Sequence, residues 1–417
     1  MFRLFLSSFS MVIVGLACAF LTHMALAKML SADEYGVFSF VFSLSLIISV
    51  FSLFGFQNSS VKVIANFMNG KDDENHTHKF VNFTRGFTLL LSACTACLTY
   101  AVLYGFGLTE KYPFEAMLLG ILLAPLMVCM RLHASFIRGF HKSILSVVYE
   151  TTLREVLVLS LLALSLMLGF TLQSGFEALC IFMAAIFIVS CVSWGHANIF
   201  LKETPAGQSL KPETFRNWVK LSFPMMLIIF AQRFLRRSDI IILGLMTSPA
   251  LVGAYAIAAQ FSEVGSIGQK GVFAVFSPRA ATLFEQKKGE ELKSLYRSMT
   301  LYGVLTTGAM CLVITACAPY ALSFFGEGFK DGYSALLILL AGQFLNVSFG
   351  PVGVLMIMTE HERAAMKFTL MAAAGNLIFN PFAIYFYGLE GAAATTAFFL
   401  VLRALLSYIE VKKHKLI

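Results

Sequence analysis

Three arginines lie close together in one apolar stretch of the chain, at Arg233, Arg236 and Arg237, and Asp239 follows them. On a helix that turns by about 100° per residue, the three guanidinium groups share an arc of about 100°, flanked by Gln232 and Asp239. Guanidinium groups bind carboxylates and phosphates through paired hydrogen bonds. The pattern therefore predicts a helix face that binds an anion, such as a diphosphate or an acidic sugar.

Further ionisable residues lie in other apolar stretches, where a charge is costly and is therefore a candidate for function. Glu263 and Lys270 share one face of a helix but are about 10.5 Å apart along its axis, too far to pair directly. We expect Glu263 to pair with Arg233 or Arg237 across a cavity. The predicted anion-binding residues are Arg154, Arg233, Arg236, Arg237, Lys270 and Arg403, and the candidates for coupling to an ion are Glu263 and Asp239.

A structural role is the alternative for each of these charges, because ionisable residues within membrane helices often pair with one another. Asp239 could pair with Arg236 one turn earlier, and Glu155 could pair with its neighbours. In that case the charges hold helices together and bind nothing.

The composition places these charges in a membrane. Hydrophobic residues make up 58% of the chain and charged residues only 13%, whereas soluble globular proteins carry about a quarter charged residues. These values exclude an ordinary soluble protein, and no segment is long enough for a soluble catalytic domain. All eight cysteines lie in apolar runs, which predicts small buried side chains and no disulfide framework. No nucleophile triad, paired carboxylates or phosphate-binding glycine loop is found, so we predict neither an enzyme nor a resident metal or organic cofactor.

Twelve stretches are long enough to cross a bilayer, which takes about 20 apolar residues. The sequence therefore predicts an all-α polytopic membrane protein with twelve transmembrane helices. The predicted spans are residues 4–27, 36–57, 81–106, 114–137, 144–169, 175–200, 216–245, 250–276, 296–320, 333–358, 365–387 and 390–411.

The basic residues indicate how these spans are oriented. Counted over the loops and helix ends, 22 Lys and Arg, including Arg85 and Arg131, fall on one side and only Lys28, Lys111 and Lys330 on the other. Because cytoplasmic loops carry the excess of Lys and Arg, both termini are predicted to be cytoplasmic. The net charge of +8 is then a signal of topology, and no nucleic-acid partner is expected.

The chain also contains an internal repeat. Matching residues fall at equivalent places in the two halves, in the short turn after the first span and in the basic loop after the second. We therefore predict six-helix lobes at residues 1–201 and 216–417, joined by a cytoplasmic linker at 202–215. Because each lobe has an even number of crossings, a pseudo-two-fold axis along the membrane normal should relate them, with the substrate path between them. An ungapped offset of 217 residues superposes Met29 on Met246, Gly36 on Gly253, Lys71 on Lys288, Gly86 on Gly303 and Cys94 on Cys311.

The repeat favours a binding role for the arginines over a structural one. At the equivalent positions of the first half, Arg233, Arg236 and Arg237 are replaced by leucine, alanine and phenylalanine. A requirement of the scaffold should appear in both halves, so the cationic face is predicted to serve a ligand.

Four segments resemble the lipid-linked O-antigen repeat-unit flippases of the multidrug, oligosaccharidyl-lipid and polysaccharide exporter superfamily. They carry loose patterns of glycine and small residues, and they occur in both halves. The segments are Leu30-Ser-Ala-Asp-Glu-Tyr-Gly36, Asp239-Ile-Ile-Ile-Leu-Gly244, Gly253-Ala-Tyr-Ala-Ile-Ala258, and the region from Asn376 and Asn380-Pro381 to Gly388-Leu-Glu-Gly391-Ala-Ala-Ala394.

The resemblance implies a multi-pass protein of the bacterial cytoplasmic membrane that moves an undecaprenyl-diphosphate-linked oligosaccharide by alternating access. It also implies a polysaccharide polymerase or assembly complex as a partner, and H⁺ or Na⁺ as a coupling ion. The alternatives are a cation-coupled small-molecule antiporter and, with less support, a membrane enzyme of polysaccharide assembly. The drug-antiporter branch usually has a carboxylate within the first lobe, and no Asp or Glu lies mid-span in predicted spans one to three.

Overall fold

The computed structural model describes residues 2–68, 74–105, 107, 111–202, 213–414 and 416. Within these ranges every regular element is a helix and none is a strand. Most helices are long because the chain consists of apolar stretches of transmembrane length. The first half contains α1 (Phe2–Met29), α2 (Ala32–Ser52), α3 (Phe56–Met68), α4 (Glu74–Gly105), α5 (Phe114–Gly139), α6 (Ser143–Val147), a π-helical turn (Val148–Thr152), α7 (Leu153–Met167) and α8 (Gly175–Lys202). The second half contains α9 (Glu213–Met246), α10 (Pro249–Gly265), α11 (Ile267–Glu285), α12 (Gly289–Phe325), a 3₁₀ helix (Glu327–Gly332), α13 (Tyr333–Ser348), α14 (Val352–Met358) and α15 (Glu362–Lys413).

The chain forms two compact units. Unit 1 comprises Met1–Leu30 and Phe40–Arg233, and unit 2 comprises Ser31–Ser39 and Phe234–Ile417. The division falls within α9, and the start of α2 belongs to unit 2. Most of the predicted linker, residues 203–212, lies outside the described residues, so the predicted lobe boundaries stay a prediction.

Eight of the described helices are long and apolar enough to cross a membrane. Two bent pairs raise the number to ten if each pair is one crossing. The first pair consists of α10 and α11. In the second pair, the 3₁₀ helix and α13 form one arm and α14 forms the other. The sequence-based prediction of a multi-pass all-α membrane protein is confirmed at this level.

Two other elements coincide with predicted spans. At Gly388, φ is 56° and ψ is −127°, which divides the 52-residue α15 into two helical segments. These segments match the predicted spans at 365–387 and 390–411. In the first half, α6, the π-helical turn and α7 follow one another without a gap and match the predicted span at 144–169.

The predicted span at 250–276 is not one straight helix. α10 and α11 are bent by 41° at the break between them, Ser266. The Ser266 hydroxyl donates a hydrogen bond to the Glu263 carbonyl at 2.7 Å, and its backbone N–H donates to the same oxygen at 3.2 Å. These bonds replace the regular helical pattern. Glu263 and Lys270 therefore lie on two different helices, and the separation of about 10.5 Å expected for a straight helix does not apply.

Within unit 2, the start of α2 packs tightly against the start of α10. A Cβ atom on Gly36 would lie 1.8 Å from the Pro249 carbonyl oxygen, and one on Gly253 would lie 2.1 Å from the Ala32 carbonyl oxygen. Only glycine allows the two backbones to approach this closely. The same 217-residue offset relates Gly36 to Gly253 and Ala32 to Pro249. The contact is thus symmetrical in the way that the sequence repeat predicts.

Candidate functional site

The arginines of α9 occupy its accessible face. Arg233 and Arg236 are exposed and Arg237 is half-buried, whereas Leu235 and Ser238 are buried. Because the unit boundary follows Arg233, this residue belongs to unit 1, and Arg236 and Arg237 belong to unit 2. The charged residues of the two units are therefore described separately.

Unit 2 brings together five of the predicted site residues, which we call the cationic cluster: Arg236, Arg237, Glu263, Lys270 and Arg403. An Nη2 atom of Arg237 lies 3.8 Å from Oε1 of Glu263, which confirms the predicted pairing of Glu263 with an arginine. Lys270 lies within electrostatic range of Glu263 and of Arg236. Arg403 also lies within electrostatic range of Arg236. Two cations, Arg237 and Lys270, thus lie close to the Glu263 carboxylate, and Arg236 lies within electrostatic range of both Lys270 and Arg403.

The cationic cluster is suited to binding and releasing an anion. A separation of 3.8 Å is too long for a hydrogen bond, so Arg237 and Glu263 form a loose ion pair. Arg236 has no carboxylate partner among the described residues, and its electrostatic neighbours include two like charges. Repulsion among like charges is relieved when an anion binds between them.

Asp239 lies within electrostatic range of Arg237, as the helical pattern predicts, but its side chain is buried in unit 2. Its side chain is only 3% exposed and accepts hydrogen bonds from the Tyr255 hydroxyl and the Ile240 backbone N–H. The alternative ion pair with Arg236 is not formed in the described part of the chain. Its hydrogen bonds link α9 to α10, and Glu263 is the carboxylate that forms an ion pair within the cationic cluster.

Buried polar side chains fix the opposite side of α9. The Ser238 hydroxyl donates to Oδ1 of Asn376 at 2.9 Å, and the Asn380 amide donates to the same atom at 3.3 Å. Because Ser238 lies about 200° around the helix from Arg236, these bonds hold the back of α9 against α15. The accessible face is thereby held in a defined orientation.

In unit 1, Arg154 is paired with its sequence neighbour. Its Nε donates to Oε1 of Glu155 at 2.9 Å, and Glu155 is 4% exposed. A buried carboxylate needs such a partner, because an unpaired charge is costly away from water. The ion pair between Arg154 and Glu155 is the structural role that the sequence analysis gave as the alternative to ligand binding. Ligand binding by Arg154 stays a prediction.

Arg131 is a buried cation that the sequence analysis did not select. It was counted among the basic helix ends, but it is only 8% exposed within α5, and it donates to the Ser49 hydroxyl at 3.4 Å. Its electrostatic neighbours in unit 1 are Arg233, Arg154 and Glu150. Arg131 lies inside the predicted span at 114–137, and this position could have identified it as a charge within the membrane.

A family model described as "Polysaccharide biosynthesis protein" matches residues 3–284. The chain belongs to this family. The match includes α9, α10 and most of α11, and therefore every residue of the cationic cluster except Arg403. No curated protein matches the chain.

Solved structures share the fold of the chain. An inward-facing multidrug resistance MATE family transporter of the MOP superfamily matches with a TM-score of 0.77 and 13% identity, over 99% of this chain and 98% of the other. The lipid II flippase MurJ, in an inward closed conformation, matches with a TM-score of 0.75 and 13% identity, over 98% of this chain and 87% of the other. The family match confirms the resemblance to a polysaccharide family, and the two structures show that the chain shares the fold of these transporters.

Proposed function

We propose that the protein moves an undecaprenyl-diphosphate-linked oligosaccharide across the bacterial cytoplasmic membrane by alternating access, for the synthesis of a surface polysaccharide such as O-antigen or capsule. The observation that carries this proposal is the cationic cluster of unit 2, in which four cations lie near one another and two of them, Arg237 and Lys270, lie close to Glu263. A diphosphate matches such a cluster in charge and hydrogen-bonding geometry. Membership of a polysaccharide biosynthesis family and a fold shared with a lipid II flippase support it.

In this proposal the diphosphate binds at the cationic cluster, where its negative charge relieves the repulsion between the positively charged side chains. Arg236, Lys270 and Arg403 provide N–H donors, and the diphosphate displaces Glu263 from Arg237. The freed carboxylate then takes up a proton, because the attraction that kept it ionised has been lost. Release of the cargo on the other side restores the ion pair. The coupling ion is H⁺ in this scheme, and Na⁺ bound at Glu263 is the alternative.

Replacing Glu263 with glutamine is expected to keep cargo binding and to abolish the dependence of transport on the proton gradient. The amide keeps the shape of the side chain but does not titrate between the two states. The measurement is transport into vesicles with and without an imposed pH gradient. Glu290→Gln, at a side chain that is 90% exposed, is the matched control. Gradient-dependent transport at the wild-type rate in Glu263→Gln would remove Glu263 from the mechanism.

We further propose twelve crossings with both termini in the cytoplasm. The eight single helices, the two bent pairs, the run from α6 to α7 and the second segment of α15 support this number. Reporter fusions after Lys142, Lys288 and Arg363 should be cytoplasmic, and a fusion after Gly328 periplasmic. A periplasmic reporter after Gln208 would contradict both the twelve crossings and the two six-helix lobes.

Deletion of the gene tests the proposed function in the cell. The lipid-linked repeat unit should accumulate in the membrane while the surface polysaccharide disappears, and the wild-type gene should reverse both effects. Normal surface polysaccharide after deletion, with no other transporter able to replace the protein, would contradict the proposal. We place the protein beside a polysaccharide polymerase or assembly complex, which would use the cargo after transport.

A small-molecule antiporter is the second candidate, because the fold is shared with a multidrug transporter. The substrates expected for such an antiporter are mostly cations, and the cationic cluster repels cations. Transport of a fluorescent cation by the reconstituted protein, without transport of a lipid-linked oligosaccharide, would favour this alternative.

A further inference from the structure

Unit 1 has an open groove outside the residues assigned above. α5 forms its floor, and α4 and α8 form its walls. One half is an apolar cavity of about 310 Å³, and the other half is a cavity of about 400 Å³ lined by more polar side chains. Arg85 and Trp194 line both cavities, so the two halves are continuous. We call this feature the α4–α8 groove.

The apolar half is accessible from outside the protein. Its wall residues Leu89, Phe187 and Trp194 are 50%, 56% and 54% exposed. Apolar side chains that are this exposed, on helices long enough to cross a bilayer, form a surface that lipid chains can cover. This half of the groove therefore suits the hydrocarbon part of a ligand.

The more polar half of the groove contains the cation Arg85, which lies where this half meets the apolar half. Nε of Arg85 donates to Nε2 of His133 at 3.2 Å, and an Nη2 atom donates to Oδ1 of Asn198 at 2.8 Å. The guanidinium carbon lies 5.8 Å from the centre of the Phe136 ring. These contacts hold the guanidinium group in one position while the remaining N–H groups are available to a ligand.

The positive charge of Arg85 is not balanced by its neighbours. Because Nε2 of His133 accepts a hydrogen bond, this imidazole is neutral and carries its proton on Nδ1. Arg85 has no ion pair with a carboxylate in the described part of the chain, and no described side chain that lines the groove is acidic. The groove thus combines an apolar surface with an uncompensated cation.

We propose that the α4–α8 groove binds an anionic phospholipid of the bilayer. Arg85, with Asn198 beside it, holds the phosphate, and the acyl chain lies along Leu89, Phe187 and Trp194. The positive charge of Arg85 is complementary to the anionic lipids in which the cytoplasmic leaflet is rich. Basic pockets between transmembrane helices bind such lipids on the cytoplasmic side. Arg85 lies in the first half of α4, near the start of the predicted span at 81–106, and Asn198 lies near the end of α8. The basic loops place these ends of the two spans in the cytoplasm.

Tryptophan fluorescence tests the proposal directly, since the chain has only two tryptophans. Trp218 is 3% exposed and packs against phenylalanine rings, so Trp218→Phe should fold and leave Trp194 as the single reporter. This variant is reconstituted in vesicles that contain brominated phosphatidylglycerol or brominated phosphatidylcholine, each in an unbrominated background. We expect Trp194 to be quenched by phosphatidylglycerol at a mole fraction roughly tenfold lower, which corresponds to one charged hydrogen-bonded contact.

Variants of the Trp218→Phe protein separate the groove from general lipid contact. Adding Arg85→Gln should reduce the tenfold preference to about one, whereas adding Lys62→Gln, which removes an exposed charge outside the groove, should preserve it. Adding Cys191→Phe fills the apolar half, leaves Arg85 intact and should weaken quenching by phosphatidylglycerol.

Three results would overturn the proposal: equal quenching by the two lipids in the parent variant, a preference that survives Arg85→Gln in a folded protein, or unchanged quenching in Cys191→Phe. Protection of Trp194 by a polyprenyl diphosphate at a lower mole fraction than phosphatidylglycerol would also overturn it and assign the groove to the cargo. Emission and size-exclusion profiles like those of the parent establish that the variants are folded.

Discussion

Replacing Arg236 with glutamine is expected to reduce export at least tenfold while the protein stays in the membrane at its normal level. Arg236 lies within electrostatic range of two other cations, Lys270 and Arg403, and has no carboxylate partner among the described residues. Its charge is therefore available to an anionic cargo. A hydrogen bond to a charged group contributes about 1.5–3 kcal/mol, so its loss should weaken binding by a factor of roughly ten to a hundred.

The same substitution separates binding from folding. Because Arg236 is surrounded by like charges, Arg236→Gln should keep the melting temperature of the purified protein unchanged or raise it. Addition of a polyprenyl diphosphate should raise the melting temperature of the wild-type protein more than that of the variant.

Arg297→Gln is the matched control, since it removes one exposed arginine of unit 2 outside the cationic cluster. It should export at the wild-type rate. Disappearance of Arg236→Gln from the membrane would assign a structural role to Arg236, and normal export by the variant would contradict cargo binding by the cluster.

The second large effect is expected at the contact between α2 and α10. Gly36→Ala and Gly253→Ala should each destabilise the protein by about 3 kcal/mol or more, because each new methyl group would overlap a backbone carbonyl oxygen. The distances of 1.8 and 2.1 Å leave no room for a rearranged side chain, so the helices must move apart. Membrane levels and thermal unfolding in detergent measure the loss.

Gly86→Ala and Gly271→Ala are the controls, because a Cβ built at either position has no atom within 4 Å other than those of the adjacent residues and the backbone of its own helix. They should be neutral or stabilise the protein by up to about 1 kcal/mol, the preference of a helix for alanine. A melting temperature near that of the wild type in Gly36→Ala would contradict the close contact. Loss of stability in only one of the two variants would contradict its symmetry.

The apolar pattern predicted the positions of the helices well, because each crossing needs a continuous run of apolar residues. The sequence repeat also singled out the glycine pair: Gly36 and Gly253 are equivalent in the sequence and meet in the structure. The break at Gly388 falls between the predicted spans at 365–387 and 390–411, whereas the break at Ser266 was not predicted. Local hydrogen bonds of Ser266 accompany that break, and they leave hydropathy almost unchanged.

Charges were harder to assign than helices, since hydropathy does not distinguish a loop cation from a buried one. Arg85 and Arg131 were counted as basic helix ends, yet the structure shows one in a groove and the other buried in α5. Asp239 lies beside the arginines in the sequence but is bonded to Tyr255, because this aspartate faces the interior of unit 2. Partners on other helices decide these roles, and they are not adjacent in the sequence.

Transport of a fluorescent undecaprenyl-diphosphate-linked oligosaccharide in vesicles is a direct test of the proposed flippase activity. The labelled lipid is placed in the inner leaflet of vesicles containing the purified protein, and an impermeant quencher outside reports its arrival in the outer leaflet. We expect wild-type protein to expose the label, Arg236→Gln to do so at least tenfold more slowly, and a fluorescent cation not to be transported. A label that stays protected with wild-type protein, while the cation is transported, would contradict the proposed flippase activity.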